Sequence, residues 1–278
     1  MSDLSGFLVI DKPAGITSHD VVAQVRRALN TKKVGHAGTL DPMATGVLVL
    51  GIGDGTRLLQ YITAGIKAYD ATVKLGELTS TDDKEGEVIA TTEIPSDIPG
   101  AFAKQVGRIM QKPSSVSAIR IDGKRAYDLV REGENVEIPA RKVEVYDLKI
   151  LDIRGNEVDI DVSCSAGTYI RAIARDCGGH LTSLRRTEVG KFTIDQASEE
   201  KIIPMGEAVN GIFPIRELDL LETNEVKFGR SLNPSGKSEI VAALTPNGEL
   251  AALLEDKAGR AKPISVRWSF KLCECPHG

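Results

Sequence analysis

The chain has 278 residues, of which 41% are hydrophobic and 27% charged, and its formal net charge is -4. This composition is typical of a globular protein with a sizeable core, and it excludes a disordered chain and one that is basic throughout. The N-terminus has no basic and apolar leader, and no apolar run approaches the roughly 18 residues of a membrane-spanning helix, so we expect a cytoplasmic protein without a membrane anchor.

The first third of the chain alternates short strands with a helix. "GFLVIDKPAG" predicts an apolar strand closed by a Pro-Gly turn, and "TSHDVVAQVRRAL" predicts a helix capped by Thr17 or Ser18. "VLVLGIG" predicts a buried strand. "KAYDATVKLG" alternates apolar and polar residues, so it predicts a strand with one apolar face formed by Tyr69, Ala71, Val73 and Leu75.

Further along, "PGAFAKQVGRIMQ" and "AYDLVREG" predict helices, whereas "RKVEVYDLKILDI" and "EVDIDVSCSAG" alternate as strands do. "TYIRAIARDCGG" predicts a helix that ends at glycines. From about residue 226 the pattern changes to short strand-like pieces between turns. The mixture predicts an α+β fold with a mixed, largely antiparallel central sheet flanked by helices. We expect a main domain over 1–225, a small β-rich domain over 226–272 and a tail over 273–278.

The charges are unevenly distributed along the chain. Residues 104–131 hold seven basic and two acidic residues, and residues 171–191 hold five basic and two acidic residues. Acidic residues concentrate at 77–97 and 195–225. If the basic segments meet on one face, the protein can bind a polyanion such as a nucleic acid despite its overall sign, although charge runs also occur on ordinary solvated faces.

The four cysteines are too few for a disulfide framework in a chain of this length, and none forms a C-x-x-C pair. We therefore expect reduced thiols. Cys273 and Cys275 in the terminal "CECPHG" lack a second cluster of ligands. The sequence accordingly predicts neither a metal site nor a cofactor.

One carboxylate, Asp41, stands among small residues in "GHAGTLDPMATG". Pro42 favours an extended backbone at Asp41, and the surrounding glycines permit a sharp turn and the close approach of another molecule. Asp-Pro also begins ordinary turns, so a purely structural role is an alternative. "GIGDGT" lacks the ending of a phosphate loop, no Ser-His-Asp or zinc spacing occurs, and the sequence singles out no second carboxylate of the kind a glycosidase needs.

Five segments carry a resemblance to a known family: "LVIDKPAGITSHDVV", "KKVGHAGTLDPMATGVLVLGIGDGTRLLQY", "KAYDATVKLGELTSTDDKEGEV", "SAIRIDGKRAYDLVREG" and "CSAGTYIRAIARDCG…HLTSLRRTEVGKF". Together, over about residues 6–194, they resemble the TruB family, the bacterial tRNA pseudouridine-55 synthases. The resemblance implies the pseudouridine synthase fold with a PUA-like C-terminal domain. It also implies an isomerase, acting as a monomer, that converts one uridine in the T-arm of tRNA to pseudouridine.

The resemblance further implies roles for single residues. Asp41 of the G-x-L-D-P motif is the nucleophile, and Arg171 of "GTYIR" pairs with it and favours its charged form. Tyr69 is the ring on which the flipped uracil stacks, and Tyr169 is a second active-site tyrosine. His36 fills the gap left by the flipped base and Lys12 lies close to the pocket. The other residues expected to bind the substrate are His180, Leu184, Arg185, Lys124 and Arg125.

The chain departs from the family pattern at three places. The segment between Asp176 and His180 is shorter than is usual, Ser114 stands where a second proline is common, and Ser80 stands where an acid is common. Two other classes of function stay open: an RNA chaperone, which has no use for a nucleophile, and a glycosidase, which would release free uracil. Attack by Asp41 on the base and attack on the sugar carbon both fit the motif.

Overall fold

The computed structural model describes residues 4–114, 120–121, 124–125, 138–198 and 201–266. Within these ranges, nine strands form the larger sheet and four strands form a second sheet. In chain order the strands are β1 (Gly6–Lys12), β2 (Val34–His36), β3 (Thr45–Ile52), β4 (Lys67–Leu75), β5 (Glu77–Thr79), β6 (Val88–Thr91), β7 (Gly107–Gln111), β8 (Arg120–Ile121), β9 (Lys124–Arg125), β10 (Arg141–Arg154), β11 (Glu157–Cys164), β12 (Gly179–Val189), β13 (Phe192–Thr193), β14 (Ile215–Glu217), β15 (Val241–Leu244), β16 (Leu250–Lys257) and β17 (Arg260–Val266).

The α-helices within the same ranges are short. They are α1 (Ser18–Ala28), α2 (Leu59–Thr63), α3 (Ile98–Ala103), α4 (Ile170–Asp176), α5 (Met205–Val209) and α6 (Leu220–Lys227). Thr17 caps α1: its hydroxyl accepts from the backbone N–H of Asp20 at 3.1 Å, and the Asp20 carboxylate accepts from the backbone N–H of Thr17 at 2.8 Å. Of the two caps that the sequence allows, Thr17 is therefore the one used. Within the described ranges, no helix is long and apolar enough to cross a bilayer.

The larger sheet has the strand order β1-β3-β12-β4-β11-β10-β7, with β2 added to β3 and β13 to β12. Strands β3 and β12 run parallel, and the other pairs are antiparallel. This arrangement confirms the predicted α+β fold with a mixed, largely antiparallel sheet. The parallel pair matters for function, because it brings Thr45 and Gly46, just after the Asp41 loop, beside Arg185 and Arg186.

One predicted helix is wrong in its second half. Of "PGAFAKQVGRIMQ", only the part up to Ala103 is helical, and Gly107–Gln111 is strand β7 paired with β10. The physical reason is Gly107, whose φ of +96° is incompatible with a right-handed helix. After it, Arg108 and Met110 are exposed whereas Gln111 is buried, which is the alternation of an edge strand. The predicted helix "AYDLVREG" lies outside the described residues.

The second sheet has the order β14-β15-β16-β17. It confirms strands in the three C-terminal pieces that the sequence predicts, and it also includes Ile215–Glu217, upstream of residue 226. Side chains of Ala242, Leu250 and Leu253 pack in one buried cluster with Phe7 and Val9 of the larger sheet. The division at residue 225 stays a prediction.

Candidate active site

Asp41 lies in the loop between β2 and β3, and hydrogen bonds hold that loop on both sides. The Ser18 hydroxyl accepts from the backbone N–H of Leu40 at 2.9 Å, and the backbone N–H of Gly15 donates to the carbonyl of Pro42 at 2.8 Å. The backbone N–H of Ala44 donates to the carbonyl of Asp41 at 3.1 Å. The Asp-Pro turn that the sequence allows is therefore present, and it is also what presents the carboxylate.

Lys12 supports the same loop from beneath. Lys12 is fully buried, with 0% of its surface exposed. Its side-chain ammonium donates to the carbonyls of Pro13, Ile16 and Pro42 at 2.8, 2.8 and 3.2 Å. Burial lowers the pKa of Lys12, and the nearby Asp41 carboxylate opposes that shift. In this structure Lys12 therefore positions the loop, and its predicted contact with substrate stays a prediction.

Arg171 holds the Asp41 carboxylate with two parallel contacts. Its Nε lies 3.0 Å from one carboxylate oxygen, and its Nη2 donates to the other at 3.1 Å. The Arg171 side chain is 5% exposed whereas that of Asp41 is 34% exposed. A buried planar guanidinium thus fixes the direction of a carboxylate that remains accessible to a ligand.

The far side of the Arg171 guanidinium is held by the loop that follows β5. Its Nη1 donates to the carbonyl of Thr81 at 2.8 Å and lies 3.6 Å from the buried carboxylate of Asp83. Ser114, one of the departures from the family pattern, has its hydroxyl 3.5 Å from the same nitrogen. Sequence reasoning missed Asp83, although one of the segments that carry the resemblance contains it, because that acidic segment marks no single carboxylate and Asp83 meets Arg171 only through the fold.

Tyr169 is the N-cap residue of α4, and the edge strand β7 fixes its backbone. The side-chain amide of Gln111 accepts from the backbone N–H of Tyr169 at 2.8 Å and donates to its carbonyl at 3.1 Å. The Arg141 guanidinium lies 4.8 Å from the centre of the Tyr169 ring. These contacts set the tyrosine at the start of the helix that also carries Arg171.

These side chains surround a cavity of about 330 Å³. Five of the predicted site residues line it: Asp41, Tyr69, Tyr169, Arg171 and Leu184. Burial raises the pKa of the Tyr69 phenol, so its hydroxyl stays protonated at neutral pH. These five residues give the cavity one carboxylate, the guanidinium that aims it, two aromatic rings and an apolar side chain. Within the described residues, no group of His, Cys, Asp and Glu side chains could hold a metal ion.

Two of the predicted residues on β12 lie away from the cavity lining. The His180 ring, at the start of the strand, is 3.0 Å from the carbonyl of Glu77, and Arg185 pairs with Asp11 at 2.7 Å. Arg186, not predicted as a site residue, lines the cavity instead. Side chains alternate along a strand, so Arg186 shares the face of Leu184 and Arg185 does not. The alternation of side chains with every second residue along the strand could have identified Arg186 from the sequence.

His36 lies outside the cavity lining, at the end of β2. Its ring meets that of His19 edge to face, with centroids 5.4 Å apart. Burial lowers the pKa of the His36 imidazole, and the neighbouring His19 lowers it further. Its predicted role beside the flipped base stays a prediction.

The basic segments separate into buried and exposed charges. Arg171 and Arg186, counted in the segment 171–191, are buried in the walls of the cavity. Lys104, Arg108 and Lys112 of the segment 104–131 are exposed. Lys124 and Arg125 form strand β9, and their side chains lie outside the described part of the chain, as does the Cys273 and Cys275 tail.

Comparison with known proteins places the chain in one family. Residues 26–170 match the family model "TruB family pseudouridylate synthase (N terminal domain)", and residues 213–267 match "tRNA Pseudouridine synthase II, C terminal". The chain is 49% identical over 283 residues to tRNA pseudouridine synthase B of Corynebacterium glutamicum, a match that covers 94% of this chain and 95% of that protein. Its identity to the protein of the same name from Corynebacterium efficiens is 50% over 284 residues, covering 94% and 96% of the two chains.

Two solved structures also resemble the fold. One is described as "Crystal Structure of a Cbf5-Nop10-Gar1 Complex", with a TM-score of 0.69, 26% identity and coverage of 94% of this chain and 84% of that chain. The other, with a TM-score of 0.68, 25% identity and the same coverage, is "Structure of H/ACA RNP bound to a substrate RNA containing 2'-deoxyuridine". The extent of the family match and the identity over nearly the whole length lead to one conclusion: the chain belongs to the TruB family of pseudouridylate synthases.

Proposed function

We propose that this protein is a tRNA pseudouridine synthase that isomerises one uridine of the T-loop. The observation that carries the proposal is the Asp41 carboxylate, held by two contacts with the buried Arg171 and directed into a cavity that Tyr69 also lines. The names of the relatives supply the substrate class, since those proteins are tRNA pseudouridine synthases.

In the proposed reaction the target uridine leaves its loop and enters the cavity, with its base against the ring of Tyr69. Asp41 acts as the nucleophile and bonds to the base or to C1′, and the bond between N1 of uracil and C1′ of ribose breaks. C5 of the same base then bonds to C1′, and the bond to Asp41 breaks, which restores its carboxylate. C5 loses a proton and N1 gains one, so the composition of the nucleotide is unchanged. No redox cofactor takes part in this balance.

The geometry favours isomerisation over hydrolysis. An inverting or retaining glycosidase needs a second carboxylate that can reach the sugar or a water molecule. Among the described residues, Asp83 is a second carboxylate beside Arg171, but it is buried: one oxygen accepts from the Thr81 hydroxyl at 2.5 Å and the backbone N–H of Glu85 at 3.0 Å, and the other lies 3.6 Å from Arg171. Asp83 therefore contacts Arg171 and does not line the cavity where a water molecule would have to be activated.

Three further parts of the proposal concern the region of tRNA that is recognised, the oligomeric state and the cellular compartment. We propose recognition of the T-arm, a monomeric enzyme and action in the cytoplasm, where unmodified tRNA is present. The residues assigned to substrate contact outside the cavity, namely His36, Lys12, His180, Arg185, Lys124 and Arg125, belong to this proposal as well.

The test uses a tRNA transcript with tritium at C5 of its T-loop uridine. Since C5 loses its hydrogen when pseudouridine forms, we expect label release without free uracil, and a transcript whose label lies only in other uridines should release none. Free uracil as product would indicate a glycosidase. Tight binding without any label release would indicate a chaperone.

A further inference from the structure

Two buried cations stand together on the side of the cavity formed by β4 and β12. Lys67 is 6% exposed and Arg186 is 1% exposed, and both line the cavity. They flank Gly38, because a Cβ added there would lie 3.6 Å from Nη1 of Arg186 and 3.7 Å from Cε of Lys67. Lys67 shares a face of β4 with Tyr69, and Tyr69 is the register partner of Arg186.

Within the described residues, neither cation has an ion pair with a carboxylate. The Lys67 ammonium donates to the carbonyls of Thr63 and Gly65 at 2.7 and 2.9 Å, and one of its three protons remains. Arg186 donates to the carbonyls of Val47 and Gly38 at 2.8 and 3.1 Å. Burying two like charges without a counter-ion is costly, so a compensating negative charge at this place is favourable.

The reaction itself produces such a charge. When the bond between N1 and C1′ breaks, its electron pair stays on the base and is delocalised over N1 and the two carbonyl oxygens of uracil. Arg171 cannot supply the balancing charge, because its guanidinium already lies against the carboxylates of Asp41 and Asp83. Of the lining cations that have no carboxylate partner within the described part of the chain, Arg141 lies over the Tyr169 ring, and Lys67 and Arg186 are the two that are buried.

We propose that Lys67 and Arg186 form an electrostatic site that stabilises the detached uracil anion, which makes Lys67 a catalytic residue. This inference rests on the proposed isomerisation. The step involves bond cleavage with the electron pair retained by the base, and neither cation gives up or accepts a proton. Preorganised donors directed at developing charge typically change rates by about 10²–10³-fold each.

A structural role for Lys67 is the competing explanation. Its ammonium binds carbonyls at the C-terminal end of α2, and lysines often stabilise helix ends in this way. The chain offers a matched control for that role. Lys191 donates to the carbonyls of Glu207 and Asn210 at 2.8 and 2.6 Å, at the end of α5 and away from the cavity lining.

The titration of Lys67 gives a readout that a structural role does not predict. Burial lowers its pKa to about 8, with Arg186 adding to the shift. The other titratable groups facing it from β11 and β4 are Cys164, whose thiol pKa is raised to about 11, and Tyr69, whose phenol pKa is also raised. Since the ammonium is the active form, the rate should fall as pH rises through about 8.

The experiment measures single-turnover label release and tRNA binding for the parent, Lys67→Met, Lys67→Arg and Lys191→Met between about pH 7 and pH 9.5. At neutral pH, Lys67→Met should lose about 100-fold in rate with binding within about threefold of the parent. Lys67→Arg should keep a substantial rate, and that rate should not fall as the pH rises through about 8, because arginine stays charged. At saturating tRNA, Lys191→Met should turn over like the parent.

Three results would overturn the inference while the parent remains active: Lys67→Met turning over within about threefold of the parent, equal losses in rate and binding, or a fall above pH 8 that persists in Lys67→Arg. If Lys67→Met does not fold, the pH profiles of the parent and Lys67→Arg decide the question. A parent that releases no label would instead overturn the proposed function, and the inference with it.

Discussion

On one side of the cavity Arg171 contacts two carboxylates, whereas on the other side Lys67 and Arg186 contact carbonyl oxygens. The first arrangement is locally neutralised and highly directional, because a planar guanidinium fixes both oxygens of Asp41. The second carries positive charge that protein dipoles solvate only in part. The same residue types thus serve two tasks: arginine beside acids aims a nucleophile, and cations without acids are prepared for a negative ligand.

The largest effect is expected from removing the charge of the aimed carboxylate. Asp41→Asn keeps the shape of the side chain but is a far poorer nucleophile, so label release should fall by at least about 10⁴-fold. tRNA binding should stay within a few fold, because phosphate contacts and the shape of the T-arm dominate affinity. Asp11→Asn is the control, since Asp11 forms a similar pair with Arg185 at 2.7 Å outside the cavity.

The next largest effect is expected from the guanidinium that aims the carboxylate. Arg171→Ala should lower the single-turnover rate by about 100-fold or more and affect tRNA affinity much less. Arg171→Lys should recover little, because a single ammonium cannot reproduce the two contacts at 3.0 and 3.1 Å. Equal losses of rate and affinity would show that Arg171 binds a phosphate of the tRNA.

A smaller effect is expected from removing the charge of Asp83, the carboxylate on the far side of the Arg171 guanidinium. Asp83→Asn should slow turnover about tenfold, or about 1.4 kcal/mol in the barrier, because Arg171 loses a charged neighbour at 3.6 Å. The matched control is Asp82→Asn, since Asp82 pairs with Arg175 at 3.2 Å and its φ of +60° suits asparagine. A rate loss that is equal in both variants would show that only the stability of this loop matters.

The smallest effect is expected from exposed charges of the segment 104–131. Replacing Lys104 and Lys112 by glutamate should weaken tRNA binding a few fold and lower the salt slope of the affinity by about 2. The control is Lys149→Glu on the β10–β11 hairpin, which lies outside both basic segments. An affinity for tRNA that does not change between low and moderate salt would contradict binding dominated by contacts with tRNA phosphates.

The strands and the first helix followed from periodicity, because the alternation in "KAYDATVKLG" and the cap at Thr17 are local properties. The helix prediction failed across Gly107, where one backbone dihedral outweighs the spacing of apolar residues. The motif resemblance identified Asp41, Tyr69, Tyr169 and Arg171, all of which meet in one cavity.

The supporting residues could not be predicted in the same way. Asp83 and Gln111 are distant from Arg171 and Tyr169 in the chain, and only the packing of the β5 loop and strand β7 against α4 brings them together. Lys67 belongs to the same strand as Tyr69, but its burial depends on β11 and β12. Long-range contacts of this kind leave no spacing pattern in the sequence.

The most direct test of the central claim, that the aimed Asp41 carboxylate isomerises a uridine of tRNA, is a map of pseudouridine at every position of an unmodified tRNA. The parent and Asp41→Asn are incubated side by side with the same tRNA at concentrations that saturate binding. The predicted result is one modified uridine in the T-loop with the parent and none with the variant. Modification of that uridine by Asp41→Asn at the parental rate would contradict the claim.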